Sequence, residues 1–107
     1  MIDDATLGGY ASAHGCPPTF VGSDGESYSA EPYVDDLPHE DGSFGAAVVF
    51  IKWSEDGTRP VGHLETDFLK FGKTTEKALA EVKLLTLHDL RGLLNSLIEH
   101  REGISCW

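Results

Sequence analysis

Residues Ala46 to Trp53 read AAVVFIKW. This run is rich in β-branched and aromatic residues and apolar on both parities until Lys52, the pattern of a strand covered on at least one face. Such a strand belongs in the middle of a sheet, and the rest of the chain is arranged around it.

On its N-terminal side, Thr19-Phe20-Val21, the turn Gly22-Ser23-Asp24-Gly25 and the run Ser27 to Val34 have the composition of a hairpin, with Asp-Gly supplying the turn chemistry. Pro32 falls inside the second run, so that run is expected at a sheet edge or to end early. Residues Asp35 to Ser43 (DDLPHEDGS) form an acidic loop. On the C-terminal side, Ser54 to Arg59 holds another Asp-Gly, and Pro60 to Phe68 then alternates. Gly62, Leu64, Thr66 and Phe68 share one face, and Val61, His63, Glu65 and Asp67 share the other. The Leu64 and Phe68 side is expected to face the core.

Helical signals flank the strands. Leu7, Tyr10, Ala11 and His14 recur at helical spacing before Gly15 and the Pro17-Pro18 pair, which predicts a short helix within Ala5 to His14. Gly8-Gly9 within it weakens that helix. Thr74 or Thr75 is a ready N-cap for a helix over Thr75 to Leu84, with Ala78, Leu79, Val82 and Leu85 on a helical stripe. Thr86-Leu87-His88-Asp89 has the form of a capping box, and Leu87, Leu90, Leu94, Leu97 and Ile98 define a second helix to His100, ended by Gly103. The expected fold is α+β: an antiparallel sheet of three to four strands, two C-terminal helices packed on one face, and a short N-terminal helix. At 107 residues the chain is expected to be one domain. Within it, residues 1–18 hold the short helix and a Pro-rich turn, 19–71 the sheet region with acidic loop 35–43, and 74–101 the helical pair.

The stretch around residues 60–85, with Phe71-Gly72-Lys73-Thr74-Thr75-Glu76-Lys77-Ala78-Leu79 at its centre, resembles the HicB-like antitoxin domain. That domain is a β-β-β-α unit whose third strand runs into a Gly-x-Thr-x-x-Glu-Ala type helix start. Where HicB-like proteins carry Pro-Asp-x-Pro-Gly, this chain has Glu65-Thr66-Asp67-Phe68-Leu69. The resemblance implies a noncatalytic domain that engages a basic toxin protein.

Charge narrows the function. The formal net charge is −10, which disfavours direct nucleic-acid binding and anionic membranes. No Lys or Arg occurs from Met1 to Ile51, where Asp3, Asp4, Asp24, Glu26, Glu31, Asp35, Asp36, Glu40 and Asp41 stand unbalanced. From Lys52 onward, acidic and basic residues nearly cancel. Such an asymmetry serves solubility, or it meets a basic partner. The acidic start and the lack of a long apolar run predict a cytoplasmic protein without a leader or membrane helix. In that compartment Cys16 and Cys106 are expected as free thiols, although the spacing leaves a bridge between them open.

Several chemical motifs are set aside on spacing. Gly72-Lys73-Thr74 mimics the end of a P-loop, but Asp67 stands where its first glycine belongs. His14 and Cys16 are half of a zinc site, and the other His residues are dispersed. The acidic loop lacks calcium-loop spacing. No cofactor or metal is expected. The best catalytic constellation is Cys16 or a Ser as nucleophile, with His63 and Glu65 or Asp67.

Two functional expectations result. In the first, the chain is a noncatalytic interaction module whose Asp35, Asp36, Glu40, Asp41, His63 and Glu65 meet a basic protein. In the second, it is a small ligand-binding protein or enzyme using the sheet face around His63. An apolar central strand and an edge containing Pro32 also leave room for a homodimer.

Overall fold

The structure, a computed structural model, describes residues 5–105, with side-chain surroundings through His100. Along the chain run α1 (Leu7–His14), β1 (Thr19–Val21), β2 (Ser27–Val34), β3 (Phe44–Trp53), β4 (Pro60–Glu65), β5 (Lys70–Gly72), α2 (Thr75–Val82) and α3 (Leu87–Ser105). The expected α+β architecture is present. The sheet is antiparallel in the order β1-β2-β3-β4, with β5 also paired to β3.

β3 is the centre, as its composition requires. Its even-numbered residues Ala46, Val48 and Phe50 are buried in one core with Leu7 of α1, Phe20 and Tyr28 of the hairpin, Ala78 and Val82 of α2, and Leu87, Leu90, Leu94 and Ile98 of α3. All three helices therefore lie on one face. The three- and four-residue spacing of the α3 positions is the stripe expected from sequence. Caps form as anticipated: Gly15 closes α1 with a φ of 70°, and Thr74 Oγ1 accepts from Lys77 N–H. At α3, Thr86 and Asp89 exchange bonds of 3.1 Å each. The amides of Leu7 and Gly8, at the start of α1, donate to Leu85 O and Lys83 O in the α2–α3 link. Those contacts anchor the glycine-weakened helix.

Three expectations are corrected, and Pro32 takes the edge alternative of its two. Pro32 does not end β2, which pairs with β3 through Val34. Backbone donors alternate sides along a strand. Ala30 N–H points away from β3 to Pro18 O, so Pro32, two residues on, has its missing donor on the free edge and costs no ladder bond. Gly103 does not end α3, which continues to Ser105, since an isolated helical glycine costs only about 1 kcal/mol.

The sheet has five strands because the single run expected over Pro60 to Phe68 is broken. β4 pairs with Trp53 to Val49, and β5 with Ala46 to Phe44 on the same side of β3. Between Val49↔Glu65 and Ala46↔Lys70, three steps along β3 are matched by five along the other strand. Thr66 holds this bulge: its N–H donates to Val48 O at 3.0 Å, and its Oγ1 accepts from Val48 N–H at 3.1 Å. The third correction follows. Phe68 leaves the Leu64 face and lies on the opposite side of the sheet, where its ring covers Gly45.

No helix of the described residues is long and apolar enough to cross a membrane.

Candidate functional site

The odd-numbered residues of β3, namely Gly45, Ala47, Val49, Ile51 and Trp53, face away from all three helices. Pairing extends this face into rows. Glu31, Val49 and Glu65 form one, and Ser29, Ile51 and His63 the next; Tyr33 stands beside Ala47, and Phe71 beside Gly45. Val49, Ile51 and Trp53 are half-buried although no helix covers them. Trp53 Nε1–H donates to the buried Ser29 Oγ at 2.9 Å, which holds the indole over the sheet.

Charge is sorted between the two faces. The two lysines within strands, Lys52 and Lys70, pair with Tyr28 and Ala46 and so belong to the helix side. On the helix-free side the strand-borne carboxylates are Glu31 and Glu65.

At one end of this face the bulge and the acidic loop meet. A Cβ on Gly45 would sit 2.7 Å from the Phe68 ring, so glycine at that position lets the ring lie flat on the strand. His39 of the loop stands 5.3 Å from Phe68 and 5.4 Å from Phe71, and the two Phe rings are 6.3 Å apart, all in edge-on geometry. Phe71 is 52% exposed and Phe68 36%. Open depressions flank the rings. One is lined by Pro38, His39, Glu40, Asp41, Ser43 and Phe71; the other, of about 350 Å³, by Tyr33, Ala47, Glu65, Thr66, Asp67 and Phe68.

The residues expected at the site are thus divided. Glu40 and Asp41 come to one side of the ring cluster and Glu65 to the other. Asp35 and Asp36 line neither depression. Asp35 turns the start of the loop: its Oδ1 accepts from Leu37 N–H at 3.0 Å, and its N–H donates to Gly45 O. Asp41 Oδ1 accepts from both Ser43 N–H and Ser43 Oγ–H. The Ser43 hydroxyl and then its amide hold the Asp41 carboxyl below its ordinary value, so it stays ionised. His63 is exposed on the same face, next to Ile51. Phe68, Phe71 and Tyr33 were not anticipated as site residues. The available signal was Gly45, a glycine inside a strand, which marks a close approach.

The catalytic constellation with Cys16 as nucleophile does not assemble. Cys16 is an exposed thiol in a cleft beside α1 with Ala30, Pro32 and Lys83, ahead of β1, whereas His63 lies on β4 with β2 and β3 between. Cys106, and with it any bridge to Cys16, is outside the described residues. Gly72 has a packing role: a Cβ there would lie 2.6 Å from Ala78 N, because the first turn of α2 rests on it. Thr74 is occupied as the α2 cap. Among the described residues, no three His, Cys, Asp or Glu side chains are placed to hold a metal ion.

No protein-family model, curated protein or solved structure matches the chain.

Proposed function

We propose that this chain is a noncatalytic protein-interaction module that binds a basic protein through the helix-free face of its sheet and the acidic loop at the end of that face. The observation that carries the reading is the sorting of residues between faces: half-buried Val49, Ile51 and Trp53 and exposed Phe68 and Phe71 stand among Glu31, Glu65, Glu40 and Asp41, while both strand lysines lie on the helix side. Apolar residues rimmed by charge of one sign make a surface for a complementary partner. A net charge of −10 on every copy opposes pairing two of these faces, so the favoured occupant is a cationic protein and not a homodimer. The free edge of β4 offers a further contact. Thr66 N–H points toward β3, so Val61, His63 and Glu65 direct their backbone groups outward, where an extended partner segment can pair.

The order β3, β4, β5, α2 supports the resemblance to HicB-like domains and makes a toxin-like basic protein one class of partner. Affinity capture with the intact chain tests the reading. The captured protein should be rich in Lys and Arg, be released at high salt, and be lost with Ile51→Lys but kept with Lys77→Glu on α2. Capture that survives salt or Ile51→Lys overturns it. A thermal shift induced by a small molecule, with no protein captured, would favour the ligand-binding alternative around His63.

A further inference from the structure

We infer that the ring cluster of His39, Phe68 and Phe71 is an arginine-binding platform, which receives guanidinium groups from the basic partner. The inference rests on the interaction reading and identifies the side chain recognised. It begins with an inversion at β5, where Lys70 is turned toward the helices beside Ala46 and Phe71 toward solvent beside Gly45. Solubility alone would place them the other way round. Phe71 nevertheless leaves 52% of its surface open, and Phe68 leaves 36%.

The chemistry around the rings selects a flat cation. Aromatic faces attract cations, and a guanidinium stacks on a ring while its N–H fork reaches a carboxylate. Both requirements are met on each side of the cluster. Phe71 shares its depression with Glu40 and Asp41, and Phe68 shares the other with Glu65 and Asp67. The two bonds from Ser43 fix the Asp41 carboxylate in place before any ligand arrives. Ammonium groups are bulkier in hydration and lack the planar fork, so lysine gains less here. A quaternary ammonium would need rings standing around a gap. These rings instead touch one another edge to face at 5.3, 5.4 and 6.3 Å, and their open surfaces form a platform, not a cage.

Hexa-arginine and hexa-lysine peptides, titrated into the intact chain by calorimetry at physiological salt, test this. Hexa-arginine should bind about fivefold tighter, the factor expected of one exposed cation–π contact. Phe71→Leu keeps an apolar side chain at an exposed position and removes the π face, so it should weaken hexa-arginine more than hexa-lysine and erase the preference between them. The paired change Glu40→Gln and Glu65→Gln should weaken both peptides. Equal affinity for the two peptides, or a preference that survives Phe71→Leu, overturns the arginine platform and leaves the basic-partner reading standing. Failure of both peptides to bind overturns the two together.

Discussion

Replacing Thr66 by Val tests whether one hydroxyl holds the bulge that puts Phe68 on the open face. Thr66 Oγ1 accepts from Val48 N–H at 3.1 Å and donates to Asp67 O at 2.8 Å. Valine keeps the branched shape and the backbone bond from residue 66 to Val48 O, and removes both side-chain bonds. The Asp67 carbonyl belongs to an exposed residue, and water replaces its partner. Val48 is fully buried, and its amide is left facing a methyl group. An unpaired buried donor costs about 1–3 kcal/mol, and the extra methyl returns a fraction of that, so the net loss is about 1–2 kcal/mol. Urea unfolding should show a midpoint lower by roughly 1 M at an unchanged m-value, and melting should fall by about 5–10 °C. Hydrogen exchange at the Val48 amide should accelerate beyond the global change. Thr66→Ser keeps the hydroxyl and should lose less than Thr66→Val. The reasoning is refuted if Thr66→Val is as stable as the parent, or if the serine variant loses as much as the valine variant.

Two further outcomes follow from the packing and the loops. Gly72→Ala places a methyl 2.6 Å from Ala78 N and 3.0 Å from Lys77 C, both backbone atoms. The first turn of α2 must then move, at a cost of roughly 1–3 kcal/mol in chemical denaturation; unchanged stability would contradict the close approach. Asp56 Oδ1 accepts from Ser54 Oγ–H, Thr58 Oγ1–H and Thr58 N–H, and these bonds, the Ser54 hydroxyl first, lower its pKa from 3.8 to about 2. Because the folded value lies below the unfolded one, its contribution is present above about pH 4 and disappears as pH falls through about 2. Carboxyl carbon NMR should show Asp56 titrating near 2 and moving toward 3.8 in Ser54→Ala. A native value already near 3.8 would rule out the loop bonds.

Much of the fold was legible because its signals are local. The Thr86-x-x-Asp89 box, the Gly15 terminator, the Asp-Gly turns and the α3 stripe each depend on residues a few positions apart. The break between β4 and β5 was not legible, because alternation from Pro60 to Phe68 continues through Thr66 without interruption. Only the neighbour strand shows that the Thr66 hydroxyl takes the place of a backbone partner. The same alternation predicts Phe68 in the core, and nothing local marks the ring cluster with His39 and Phe71. Of the expected site residues, Glu40, Asp41 and Glu65 were recognisable by charge alone, but nothing in their spacing shows that they flank the same rings.

By itself the sequence determined an α+β fold centred on AAVVFIKW, an acid-rich first half, and the absence of motif spacings for phosphate, zinc or calcium. These are properties of composition and of residues near one another in the chain. Only the tertiary structure decided which face of the sheet stays open and which carboxylates meet the aromatic rings. Those are set by strand register, and the two extra residues held by Thr66 carry Phe68 across the sheet. The acidic loop gains its aromatic neighbours through that slip.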